Sequence, residues 1–187
     1  MNSNSGIAVV YSDFTVRKVK QTFGITTIEG GLYFPAIKPI TPGKMLTEFL
    51  EETLPLAVAL QSEKAKLELL ISPILVEVRK ILKWEASFFS GQEFTVNAAI
   101  GLSGICDFLM SRWPTVGRRP SREQFEVEAP VIVLVEAKKA DLNVGMGQCM
   151  AEMIAAQLFN LEAGQAPMLI YGCINSGMLW RFLELED

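Results

Sequence analysis

The sequence predicts an α/β chain in which helices flank a central mixed β-sheet, preceded by an N-terminal α/β extension. Three observations carry that expectation. The run Val131-Ile132-Val133-Leu134-Val135 is short, aliphatic and unbroken, the mark of a strand buried on both faces. From 63 towards 84, apolar residues recur at helical spacing at Leu67, Leu70, Ile74 and Val78, with Ile71, Leu75 and Ile81 widening the stripe. Helix-patterned and strand-patterned segments also follow one another in the order helix, three strands, helix, two strands, and helices so placed cover a sheet.

The N-terminal elements come first. Thr15 is placed to cap a helix running to 23, and Gly24 to close it in the left-handed conformation that ends many helices. Segments 25–28 and 32–34 around Glu29-Gly30-Gly31 read as a hairpin. Thr41-Pro42 reads as an N-cap followed by proline at the first helical position, opening a helix to about 53. Residues 1–60 are assigned to an N-terminal extension or subdomain and 61–187 to the core.

In the core, Ser62 caps the longest expected helix, over 63–84, which Pro73 should kink. Phe88-Phe89, a turn at Gly91-Gln92 and an alternating strand at 94–97 follow, then a second strand over 104–110. After the strand at 131–135, Gly145 and Gly147 are expected to precede a helix over 148–159. Strands at 168–174 and 178–185 close the chain as a hairpin around Asn175-Ser176-Gly177.

Composition narrows the chemistry. The 187 residues favour one domain, and half of them are hydrophobic and a fifth charged, as in ordinary globular proteins. Histidine is absent, which excludes Ser-His-Asp and Cys-His nucleophile systems, His-ligated zinc and histidine-based nuclease centres. The three cysteines, Cys106, Cys149 and Cys173, form no zinc spacing and suit buried reduced thiols. With no signal-peptide pattern at the start and no long uncharged apolar stretch, a cytoplasmic protein without a membrane span is expected. No Walker sequence or GxGxxG occurs, so no nucleotide cofactor is expected. Met146, Met150 and Met153 read as core or dimer contacts, and Trp180 and Tyr171 as core residues.

The net charge of −4 argues against a polybasic nucleic-acid binder as a whole. One segment differs: 111–122 holds Arg112, Arg118, Arg119 and Arg122 and no acid, a loop that could meet a phosphate backbone or simply be solvated.

The chemistry concentrates where the aliphatic strand ends, at Glu136-Ala137-Lys138. Period-two alternation puts Glu136 and Lys138 on one face and Ala137 on the other. Charges at the end of a buried strand need partners, and a metal with a phosphate ligand would satisfy both. Asp107, in the middle of another apolar strand, could converge with Glu136 on one hard cation, for which Mg²⁺ is suited, with the Ala137 carbonyl as a further ligand. An exposed Glu136–Lys138 ion pair and a turn role for Asp107 are the competing structural reading. Gln148 and Glu152, four apart on the next helix, and Glu68 (or Glu63) on the long helix extend the polar set beyond what one ion pair requires.

Asp107, Glu136-Ala137-Lys138 and the downstream Gln148, in this order of elements, resemble the PD-(D/E)XK nuclease superfamily and its restriction-endonuclease-like core. The resemblance runs over about 62–185. It implies metal ligation by Asp107 and Glu136, joined by Ala137 and by Glu68 as the first-helix acid. Lys138 would position or activate the attacking water, with Gln148 near the nucleic acid or metal. It further implies Mg²⁺, with Mn²⁺ as a substitute, a nucleic-acid partner (DNA foremost), and 5′-phosphate and 3′-hydroxyl products. Cys106 stands where the motif name has proline. Two alternatives stay open: a nuclease-fold binding or regulatory module without turnover, and an oligomerising structural protein, for instance a homodimer built on its apolar hairpin.

Overall fold

The computed structural model describes residues 9–29, 37–112, 126–138, 141–166 and 168–186. Five strands form one mixed sheet in the order β1-β2-β3-β4-β5: β1 Ala86–Glu93, β2 Ile105–Arg112, β3 Val131–Ala137, β4 Ile170–Asn175 and β5 Trp180–Leu185. β1, β2 and β3 pair antiparallel, β3 and β4 parallel, and β4 and β5 antiparallel. The parallel step requires a crossover, supplied by the helix α5, Leu142–Glu162, which packs on β3 and β4. Helices flanking a mixed sheet are the architecture the patterning implies.

α1, Val16–Phe23, begins and ends as its sequence predicts: Thr15 Oγ1 accepts from Lys18 N at 3.2 Å, and Gly24 sits at φ 71°. The segment ahead of it belongs to the core. Tyr11 N donates to Ser103 O at 3.0 Å, Tyr11 OH to Phe94 O at 2.8 Å, and Tyr11, Phe14 and Val19 are buried with α5. Of the hairpin expected next, 25–28 forms no strand and 30–36 lies outside the described residues.

Two helices differ from expectation for tertiary reasons. α2 spans Lys44–Leu60, starting after Gly43 rather than Thr41, because Gly43 N is held by Glu77 Oε1 at 2.8 Å. It also runs through Pro55. The helix from Ser62 onwards contains α3 Glu63–Lys66, a π-helical turn Leu67–Ile71 and α4 Ser72–Ile81. Pro73 lacks the N–H that would reach the carbonyl of Leu69. Thr53 Oγ1 lies 3.0 Å from that oxygen, and the widened turn takes up the proline ring.

The expected Gly91-Gln92 turn is strand. Gly91 takes φ 62° inside β1 without reversing the chain, and Gln92 and Glu93 pair with Cys106 and Ile105. Reversal comes later, at the 3₁₀ turn Ala98–Ile100, where Asn97 Oδ1 accepts from Ala99 N and Gly101 sits at φ 86°. α5 starts six residues before the expected 148, with Asp141 as N-cap, so that Gly145 and Gly147 lie inside it. A Cβ on Gly147 would come within 2.3 Å of Phe14 O. That close approach outweighs the roughly 1 kcal/mol that glycine costs in a helix.

The sheet has a core on each side. Between α5 and the sheet lie Leu109, Leu134, Cys149, Met150, Met153, Ile170 and Ile174, with Met146 at the margin. Between α4 and the sheet lie Ile71, Leu75, Phe108, Met110, Val135, Ala137 and Cys173, with Trp180 against them. All three cysteines are buried and free. Tyr171, expected inside, is 38% exposed, although Cys173 on the same face of β4 is buried. No helix among the described residues is long and apolar enough to cross a membrane.

Candidate functional site

The site forms at the carboxyl ends of the parallel pair β3–β4, where α5 begins to cross back. Ligands collect at such places in open α/β sheets because helix starts and strand ends leave a crevice. The register explains how Asp107 and Glu136 meet. β2 and β3 pair up to Phe108↔Val135, and beyond that point the ladder stops. Instead of a backbone carbonyl, the side chain of Asp107 takes the next N–H, with Oδ2 accepting from Ala137 N at 2.9 Å. The backbone ladder ends there, with the Asp107 carboxylate as its last link.

Alternation on β3 does what the sequence implies. Ala137 turns into the α4-side core, while Glu136 and Lys138 face α5. Glu136 is 2% exposed and its Oε1 accepts from Lys138 Nζ in a short contact. Lys138 Nζ also donates to Gln148 Oε1 at 3.3 Å, and Gln148 Nε2 donates to Glu152 Oε1 at 3.0 Å. The lysine stem crosses α5 at Gly145, where a Cβ would meet Lys138 Cγ at 2.8 Å and Cε at 2.9 Å. Glycine is required there to let the stem pass.

The electrostatics follow from burial. Removal from water raises the Asp107 carboxyl above its ordinary value, against the opposing pull of the Ala137 N–H and Lys138. Burial, reinforced by the Asp107 charge and only partly offset by Lys138, pushes Glu136 up to about 8. Glu152, with no exposed surface, is held well above its ordinary value by burial and by the Glu136 charge. Burial alone would lower Lys138, but the charges of Glu136, Asp107 and Glu63 outweigh it and hold the ammonium above its ordinary value. Three carboxyl groups thus crowd one ammonium, and the cluster retains protons that isolated carboxylates would release.

That surplus bears on a metal. Glu136 Oε2 is buried and has no hydrogen-bond partner among the described residues. Asp107 and Glu136 with an unused buried oxygen fit a hard cation that keeps several waters. Among the described residues no three His, Cys, Asp or Glu side chains gather as a ready-made ligand set.

The structure does not bring every expected residue here. Glu68 points to solvent and pairs with Lys64 at 3.0 Å. The first-helix acid whose charge reaches Glu136 and Lys138 is Glu63, in the first turn of α3. Arg112 is at the far end of β2, about 17 Å of extended strand from Asp107. Arg118, Arg119 and Arg122 lie outside the described residues. Two contributors have no place in the sequence reading of the site. One is Gly145, read there as a residue preceding the helix. The other is Asn175: its side chain closes the expected turn, with Oδ1 accepting from Gly177 N at 3.1 Å, while its backbone O accepts from Lys138 N at 2.8 Å and its buried Nδ2 has no partner among the described residues. A buried strand ending in an amide was the available signal for Asn175.

No protein-family model matches the chain, and no curated protein or solved structure matches it.

Proposed function

We propose that the chain is a metal-dependent nuclease of the restriction-endonuclease-like kind, hydrolysing phosphodiester bonds of nucleic acid, DNA foremost. The observation that carries this is the convergence of Asp107, Glu136, Lys138 and Gln148 on one strand end, with a buried carboxylate oxygen left unused. A structural ion pair accounts for Glu136 and Lys138 but not for a second carboxylate, Asp107, at the same strand end or for the orphan oxygen of Glu136.

Asp107 and Glu136 would hold Mg²⁺ or Mn²⁺, with the Ala137 carbonyl as a further oxygen, and the cation would supply Lewis acidity toward a phosphoryl oxygen and toward water. Lys138 does the chain's own part. Its ammonium, tethered on Glu136 and Gln148 and shielded from bulk water, is oriented before substrate arrives. It can therefore stabilise negative charge developing on the phosphoryl group, or hold the attacking water, without reorganising. Burial of Glu136 and its neighbours strengthens each of these interactions.

A non-cleaving binding module is the second reading, favoured by one observation: Arg112, the described member of the basic segment, lies at the opposite end of the sheet from the carboxylates. Labelled single- and double-stranded DNA incubated with Mg²⁺ or Mn²⁺, beside Glu136→Ala prepared identically, separates them. Cleavage that requires metal and falls at least about 10³-fold in Glu136→Ala supports the nuclease, the scale expected when charge stabilisation and metal ligation go together. DNA binding without cleavage by folded wild type supports the module.

A further inference from the structure

Among the described residues, Glu152 is poorly served by a structural account. It lies on α5 with no exposed surface, among Cys149, Met153 and the sheet, where its neighbours fill space with apolar side chains. Burying a carboxyl there costs several kcal/mol unless it is fully paired. It is not: Oε1 accepts from Gln148 Nε2 at 3.0 Å, and Oε2 has no partner among the described residues. Asn160, two turns further along the same helix, shows what a structural polar residue looks like here. It donates to Val131 O at 2.8 Å and accepts from Val131 N at 2.7 Å, tying α5 to the start of β3 with both its amide nitrogen and its oxygen engaged.

We infer that Glu152 is a positioning residue that acts on Lys138 through Gln148. An ammonium only donates, so Gln148 must turn its oxygen to Lys138 Nζ, which leaves its NH₂ pointing into the core. Glu152 supplies the acceptor that makes this orientation the stable one. Without it the amide is free to flip and present a donor to the ammonium. The spacing suits the task, since residues four apart share a helix face. Glu136 fixes Lys138 from β3 and Glu152 fixes it from α5, at one remove. The inference rests on the reading of Lys138 as the group that faces the phosphate, but its geometric core does not depend on turnover.

The test uses the full chain with Glu152→Leu, which removes the acceptor, and Glu152→Gln, which keeps one. Lys138 is read directly by its acylation with an N-hydroxysuccinimide ester, quantified by peptide mass spectrometry against the exposed Lys64, 79% exposed, in the same molecule. Cleavage of labelled duplex DNA with Mn²⁺ gives kcat and KM. In Glu152→Leu, Lys138 should acylate several-fold faster relative to Lys64, and kcat should fall about 10-fold, the size of one lost hydrogen bond to a charged group. KM and Mn²⁺ affinity should hold. Glu152→Gln should restore both readouts. Unchanged acylation and kcat in Glu152→Leu overturn the inference, as does failure of Glu152→Gln to restore them. If Glu152→Leu does not fold, Gln148→Leu breaks the same link from a half-buried position, and unchanged Lys138 acylation there overturns it too. A change in acylation that Glu152→Gln reverses, with no cleavage by any form including wild type, sustains the positioning role and rejects the nuclease reading.

Discussion

The two sides of the sheet are built to different rules. On the α4 side, Ile71, Leu75, Phe108, Met110, Val135 and Ala137 make a dry core, and Phe88 and Phe108 stack with centroids 5.5 Å apart. On the α5 side the core is larger and apolar for most of its length, yet it carries a polar thread from Glu136 through Lys138 and Gln148 to Glu152. One strand, β3, serves both, with Val135 and Ala137 facing one way and Glu136 and Lys138 the other. The α4 side buries one isolated amide, Asn175 beside Ala137, whereas the α5 side keeps a connected set of charged and amide groups.

That contrast can be broken by matched substitutions. The largest stability loss is expected on the dry side: Leu75→Ala should cost about 3 kcal/mol, as for buried leucines generally, seen as a lower urea midpoint. Cleavage per folded molecule should be unchanged. On the α5 side, Gly145→Ala should do the reverse. Alanine is the better helix former by about 1 kcal/mol, which offsets part of the cost of moving the Lys138 stem, so the stability loss should be smaller than in Leu75→Ala. The added methyl displaces the Lys138 stem and Ile174, and cleavage should drop about 10-fold if one positioning contact is lost. Equal losses of stability and cleavage in both variants would erase the distinction.

The contrast also shows in pH dependence, whose sign is fixed by the carboxyl groups. Asp107, Glu136 and Glu152 hold their protons to higher pH in the folded chain than in the unfolded one. Their contribution to stability is therefore full below the ordinary carboxylate range and is lost as pH rises through the folded values, about 8 for Glu136. Urea unfolding of the metal-free protein should show stability declining from about pH 5 to about pH 8, by at most about 1.4 kcal/mol per pH unit for each proton released. Saturating Mn²⁺ should shrink the decline, and Glu152→Gln should flatten it. A metal-free stability that rises over this range would place the ionised carboxylates in a compensated network instead.

The sequence was most legible where one structural period acted alone. β3 follows from its aliphatic run, and the faces of Glu136, Lys138 and Ala137 follow from alternation. Gln148 and Glu152 share a face because they are four apart. It was least legible where a distant contact decided. Glu63 and Glu68 were both available as the acid of the first helix, and the choice between them depends on helix phase, which the π turn at Leu67–Ile71 alters without marking the apolar pattern. Gly91 and Gly147 read as breaks in isolation, but their neighbours in space make one a strand residue and the other a contact point for Phe14. Arg112 drew notice for its charge, while strand direction decided where that charge lies.

The pairing of Asn160 with Val131 has a consequence for how this protein can change. α5 is pinned to β3 at both ends of the strand, by Asn160 at its beginning and by Gln148 through Lys138 at its end. The helix and strand therefore behave as two rulers bolted together at two marks. A residue inserted or deleted between 148 and 160 turns the rest of the helix by about 100° and slides it about 1.5 Å, so one bolt must come out. This helix should therefore tolerate exchange of one side chain for another far better than any change in its length between 148 and 160.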